Sequence, residues 1–310
     1  MIAFVFPGQG SQRAGMGKAL AAEYPVCREA FEQADDVLGE PLGRLCFEGP
    51  AERLALTENT QPAVLAMSIA VHRVLAARGH APALVAGHSL GEYSAHVAAG
   101  TLGYADALRT VRRRGVYMQE AVPVGQGAMA AVLELETDRV RQACADAAGG
   151  DVVSVANVNA PGQVVIAGTR EAVARAGERA RELGARRVLP LDVSAPFHCA
   201  LMKPAEERLA RDLRALVVAD PDVPVVANVD AEPKRGAAEA VDALIRQVSA
   251  PVQWEAVVRR MAEDGVTTFI EVGPGKVLSR LVRQTLPAAR VAQVNDVRSL
   301  EAAGALLAGP

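Results

Sequence analysis

Leu84-Val85-Ala86-Gly87-His88-Ser89-Leu90-Gly91-Glu92-Tyr93 is an apolar strand that runs into Gly-x-Ser-x-Gly and then into a helical pattern. That succession reads as a nucleophile elbow, a sharp strand-to-helix turn that lifts a serine hydroxyl clear of a sheet. The two glycines are expected to permit the tight, strained turn. The amide of Leu90 then faces a developing oxyanion, and the helix start adds its positive dipole end. A glycine-bounded turn with an ordinary serine is the bland alternative, and the strand before and helix after it argue for the elbow. Further strand-length apolar runs lie at Ile2 to Phe6, Ala83 to Ala86, Val223 to Ala227 and Thr268 to Val272, separated by long helical patterns. Such alternation predicts a mainly parallel, helix-covered α/β sheet.

Between Gly127 and Val193 the rhythm changes. Strands are expected over Ala128 to Leu133, Val152 to Asn157, Val164 to Ala167 and Arg187 to Leu191, with helices over Asp138 to Ala148 and Glu171 to Leu183. The order β-α-β-β-α-β is that of a ferredoxin-like unit. The expected organisation is therefore a large α/β domain over residues 1–126 and 194–310, with a ferredoxin-like subdomain inserted over 127–193.

Composition narrows the function. With 33 Lys and Arg against 36 Asp and Glu, the net charge is −3. No basic excess exists to hold nucleic acid by counterion release, so an anionic ligand has to be met by a local cationic cluster. The four cysteines, Cys27, Cys46, Cys144 and Cys199, form no CxxC pair and read as reduced thiols of a cytoplasmic protein. The apolar start Met1 to Phe6 lacks a basic flank and stops at Pro7-Gly8, so it reads as a first strand rather than a signal peptide. No run reaches the ~18 apolar residues of a membrane span, so a soluble protein is expected.

A serine nucleophile needs a base, and the chain has five histidines. His88 neighbours the serine and is expected to point away and pack. His96 lies seven residues along the elbow helix, about 10.5 Å up its axis at 1.5 Å per residue, out of reach. His72 and His80 precede the elbow strand, where a solvated or capping role is expected. His198 remains, in Ser194-Ala195-Pro196-Phe197-His198-Cys199, a loop between a strand and a helix of the kind that carries catalytic side chains. Cys199 follows that histidine too closely to face it and reads as a packing cysteine.

Other glycine clusters fail as nucleotide sites. Gly8-Gln9-Gly10 leads to Arg13 where a dinucleotide fingerprint needs Gly or Ala, and Gly17-Lys18 and Gly275-Lys276 lack the earlier P-loop glycine. The first of these loops can still offer backbone amides to an oxyanion. Of Arg112-Arg113-Arg114, two are expected on a solvated face.

Taken together, Phe6-Pro7-Gly8-Gln9-Gly10-Ser11-Gln12, Thr60-Gln61-Pro62-Ala63, Gly87-His88-Ser89-Leu90-Gly91-Glu92, Arg114-Gly115 through Met118-Gln119, Asn157 to Gln163, Phe197 to Met202, Gln247 through Trp254 and Glu271 to Leu278 strongly resemble the malonyl-CoA:acyl carrier protein transacylases. The resemblance implies a hydrolase-like parallel-sheet domain with the ferredoxin-like insertion and the site between them. It implies Ser89 as nucleophile, His198 as base and acid, and Arg114 as partner of the malonyl carboxylate. It also implies an oxyanion hole from the amides of Gln9 and Leu90, and a Gln247 backbone carbonyl that orients the histidine in place of a triad carboxylate. The implied partners are malonyl-CoA, as substrate, and acyl carrier protein. No metal or cofactor, no nucleic acid and no membrane are implied, and a monomer is expected. The family's carrier is itself acidic, so Arg112, Arg113, Arg186, Arg187 and Lys203 are candidates for a docking patch. A serine thioesterase or carboxylesterase on the same elbow, which would use water as acceptor and need no buried arginine, is the rival enzyme reading. A carrier-binding module without activity is the non-enzyme one.

Overall fold

In the computed structural model, which describes residues 1–307, ten strands form two sheets. The strands are β1 (Ile2–Phe6), β2 (Leu84–Gly87), β3 (Gly127–Leu133), β4 (Val153–Ala160), β5 (Gln163–Thr169), β6 (Arg187–Pro190), β7 (Val225–Val226), β8 (Pro233–Lys234), β9 (Thr268–Val272) and β10 (Arg290–Val294). The larger sheet has the order β10-β9-β1-β2-β7-β8 and is parallel except for the edge pair β7–β8. Alternation along its central strands feeds two cores. Phe4, Phe6, Val85, Val225 and Ile270 face a core that includes the helix Thr57–Ala77, while Ala3, Val5, Leu84, Ala86 and Phe269 face another around Trp254 and Val258. A strand buried on both faces has to be apolar throughout, which is why these runs stand out in the sequence.

β1 and β2 run in register, Val5 opposite Ala86 and Phe6 opposite Gly87, so the loops that leave them emerge side by side at the carboxyl end of the sheet. The His88 amide donates to the Phe6 carbonyl at 3.0 Å and ties the two loops together. In open parallel sheets this edge is where ligands bind.

The smaller sheet is antiparallel, in the order β4-β5-β3-β6, and the helices Thr137–Ala147 and Arg170–Glu182 cover one face. Its other face presents Met129, Ala156, Val165 and Ala167 toward Cys199 and Phe197. β4 lies against the large unit through reciprocal bonds, Val158 N–H to the Val252 carbonyl and Val252 N–H to the Ala156 carbonyl, each 2.9 Å. β8 and β10 lie outside the strands expected from sequence: β8 has two residues, and β10 is an edge strand whose side chains stay mostly half-buried, so neither carries a continuous apolar run. No helix of the described residues is long and apolar enough to cross a membrane.

Candidate active site

Ser89 sits at φ 51° and ψ −108°, between β2 and the helix Leu90–Ala98. The strain lies on the serine itself. Neither Gly87 nor Gly91 has a positive φ, and both are needed for close approach instead. A Cβ on Gly87 would lie 1.9 Å from the Gly91 carbonyl, and one on Gly91 2.0 Å from the Phe6 carbonyl oxygen. The helix can only pack this tightly over the strand ends if both positions lack side chains. The turn is held from behind by Asn228, whose Oδ1 accepts the Ser89 N–H at 2.7 Å while its Nδ2 donates to the Gly87 carbonyl at 2.7 Å.

The Ser89 hydroxyl lies 2.7 Å from His198 Nε2. On the far side of the ring, His198 Nδ1 lies 2.9 Å from the Gln247 main-chain carbonyl. A carbonyl can only accept, so Nδ1 carries the proton and Nε2 is left free to take one from the serine. His198 is buried, also at positive φ (59°), and its pKa is pushed down to about 3, first by desolvation and then by the charge of Arg114. It is therefore neutral at ordinary pH, as a base must be.

Arg114 is 2 % exposed, on the helix Tyr104–Glu120. Its Nη1 donates to Gln61 Oε1 at 2.9 Å, and its Nη2 donates to Gln247 Oε1 and to Ser89 Oγ, each at 3.0 Å. Burial lowers its pKa, yet a guanidinium stays charged in proteins. The hydroxyl thus accepts from a cation while it faces a neutral base. Gln247 Nε2 donates to the Ser89 carbonyl at 2.9 Å and to Glu92 Oε2 at 2.7 Å.

Ser89, His198, Arg114 and Gln61 line a cleft of about 150 Å³, with Gln9, Leu90, Met118, Met129, Asn157, Leu191 and Val193 around them. Gln9 and Leu90 both line the cleft that holds Ser89. Leu90, as the first helical residue, has one of the N–H groups that find no acceptor within the helix. Sequence reasoning gave no role to Gln61, Glu92 or Asn228. Gln61 stands in the recognised Thr60-Gln61-Pro62-Ala63 stretch, and Glu92 in the elbow motif; Asn228 follows a two-residue strand and had no signal.

The other histidines correct the expectations in part. His88 packs on Trp254, with ring centroids 5.6 Å apart, but it also lines the cleft and bonds Asn159 Oδ1 at 2.8 Å rather than pointing away. His72 is neither solvated nor a cap: its ring meets Phe4 and Phe6 edge-on, since its helix lies on the sheet. His96 is fully buried with both ring nitrogens unpartnered. Cys199 is buried, its Sγ on the Pro196 carbonyl at 3.1 Å, and all four cysteines are free. Among the docking candidates, Arg112 pairs with Glu40, Arg113 with Asp212, Arg186 with Glu134 and Lys203 with Glu206. Arg187 is exposed and has no ion pair among the described residues.

The acyl transferase domain model matches residues 3–307. The malonyl CoA-acyl carrier protein transacylase of Escherichia coli K12 is 51% identical over 302 residues, which cover 97% of this chain and 98% of that one. The crystal structure of an acyl carrier protein S-malonyltransferase from Vibrio cholerae superposes with a TM-score of 0.96 at 50% identity, over 97% of this chain and 99% of that one. A malonyl-transacylase in complex with its type II polyketide synthase acyl carrier protein superposes at 0.95 with 48% identity, over 97% and 98% of the two chains. The chain is alike from end to end to these proteins, and it belongs to the acyl transferase family, among the malonyl CoA-acyl carrier protein transacylases.

Proposed function

We propose that the chain moves the malonyl group from malonyl-CoA to the phosphopantetheine thiol of acyl carrier protein through a malonyl ester on Ser89. The observation that carries this reading is Arg114, buried, charged and donating to the nucleophile's own oxygen at 3.0 Å. A planar guanidinium beside the acylated atom suits an acyl group that ends in a carboxylate, because both oxygens can be bound at once.

Ser89 Oγ attacks the thioester carbonyl as its proton passes to His198 Nε2. The oxyanion that forms is met by the amides of Gln9 and Leu90. Collapse expels the CoA thiolate, which takes the proton from His198, and leaves the serine ester. The carrier thiol then gives its proton to His198 and attacks the ester, and as the intermediate collapses the C–O bond to Ser89 breaks and His198 returns that proton to Ser89 Oγ. A backbone carbonyl stabilises the transient imidazolium less than a carboxylate would, but it fixes the same tautomer. The chain's own residues balance each step, so the reading calls for no cofactor, and its substrates, a CoA thioester and a carrier-bound thiol, suit a cytoplasmic site of action. The product supplies fatty-acid or polyketide synthesis.

Intact-mass measurement after brief exposure to malonyl-CoA, without carrier protein, tests the reading. One malonyl adduct is expected, lost in Ser89→Ala. An adduct retained in that variant, or found on Cys199, would overturn it.

A further inference from the structure

Glu92 is the one carboxylate within the hydrogen-bonded cluster behind Ser89, and the transfer steps leave it without a task. It is fully buried on the elbow helix. Its Oε2 accepts from the Asn228 N–H at 3.0 Å and from Gln247 Nε2 at 2.7 Å, while Oε1 has no hydrogen-bond partner. A buried carboxylate with one bare oxygen is costly, and such groups gather where function needs them.

Its consequence runs through Gln247. The amide of that residue touches three things: Nε2 donates to the Ser89 carbonyl and to Glu92, and Oε1 accepts from Arg114. An ionised carboxylate can only accept. With Glu92 in place the amide has one orientation, because the flipped form would set oxygen against carboxylate and NH2 against guanidinium. The same residue's main chain holds His198. We infer that Glu92 is a positioning residue of the transfer reaction, which locks the Gln247 amide and supplies the negative charge that balances Arg114 while no acyl group is bound.

The charge argument follows from placement. The carboxylate lies one amide away from the guanidinium, near enough to offset it and too far to occupy the fork that a malonyl carboxylate would take. The groups that act on it are few. Burial raises its pKa to about 7, against the hydrogen bonds from Gln247 and Asn228 and the pull of Arg114, while Asp230, itself paired with Lys234 and Arg246, pushes it further up.

The inference rests on malonyl transfer through Ser89, and two substitutions separate its parts at about pH 8, where the carboxylate is ionised. Glu92→Gln keeps an acceptor for Gln247 but removes the charge. Arg114 is then unbalanced until a carboxylate arrives, so the ratio of malonyl-CoA to acetyl-CoA acylation, each as kcat/KM, should rise about tenfold, the scale of coupling within one hydrogen-bonded network. Glu92→Asp keeps the charge but withdraws it by a methylene, so acylation by both thioesters should slow together with the ratio preserved. An unchanged ratio in Glu92→Gln overturns the inference. Should that variant be too unstable to assay, its unfolding is compared with that of the Glu92→Gln/Arg114→Ala pair. Removing the unbalanced cation should restore stability, and simply additive losses overturn the charge balance. Wild-type protein that forms no malonyl adduct would instead sink the proposed function, so the two failures are distinct.

Discussion

Replacing Arg114 by alanine should change which acyl group is transferred more than whether one is. The side chain is 2 % exposed and its three bonds, to Gln61, Gln247 and Ser89, lie between 2.9 and 3.0 Å, so the cation is desolvated and held in one place. Removing one partner of such a desolvated charge pair costs roughly 2 to 5 kcal/mol. At about 1.4 kcal/mol per decade this is about 30-fold to several thousand-fold in kcat/KM for malonyl-CoA. An acetyl group puts no carboxylate on the guanidinium, which Glu92 offsets only from behind the Gln247 amide, so acetyl transfer should hold or rise once the arginine is gone. The lost bond to Ser89 Oγ acts on both thioesters alike, which makes the ratio of the two the quantity to read. Pre-steady-state acylation of both proteins by both thioesters measures it, with thermal unfolding as a check, since Gln61 and Gln247 each lose a donor. If the two activities fall together in a folded variant, Arg114 holds the architecture or the CoA phosphates, and the selectivity reasoning fails.

Two further outcomes follow from the histidines. His198 is kept neutral down to about pH 3 in the free enzyme, so kcat/KM for acylation should keep its acid limb more than one unit below the ordinary histidine value of 6.5; a limb at 6.5 lost in His198→Ala would contradict the burial argument, and that variant should itself be slower by about two orders of magnitude. His96, buried without partners, has its pKa lowered from 6.5 to about 3 by desolvation. Between those values the unfolded chain binds a proton that the folded one refuses, so stability is lost as the pH is lowered from 6.5 toward 3, by up to about 1.4 kcal/mol per unit. His96→Leu should flatten that slope in denaturant titrations between roughly pH 6 and 4, and an unchanged slope would place the acid sensitivity elsewhere.

The parts of the fold legible in sequence were those whose physics is local. β1 and β9 are buried on both faces, and their bounds, Ile2–Phe6 and Thr268–Val272, coincide with the apolar runs. The elbow was legible because strand, glycines and helix follow one another along the chain. Ser89 and His198 could be paired by elimination among five histidines, although 109 residues separate them. Asn228 and Gln61 could not. Asn228 acts on the serine's turn and Gln61 on Arg114, each through an amide brought there by a distant element, and an amide in a sequence carries no sign of what it will meet. His72 and His96 were misjudged or left unexplained for a related reason, since burial of a polar ring is decided by tertiary packing and not by its neighbours in the chain.

The arrangement around Gln247 also accounts for the absence of a triad acid. A carboxylate on His198 Nδ1 would stabilise the imidazolium better than a carbonyl does. It would also lie beside Arg114, which shares Gln247 as a partner with that ring. A fixed anion there would compete with the substrate's own carboxylate for the guanidinium, and the arginine would discriminate less between a charged acyl group and a neutral one. Glu92 is set back behind the Gln247 amide, where it can polarise the network without filling the fork. A site that must both activate a serine and recognise an anion next to it is served better by a weaker orienting group on the histidine than by a second negative charge at the nucleophile.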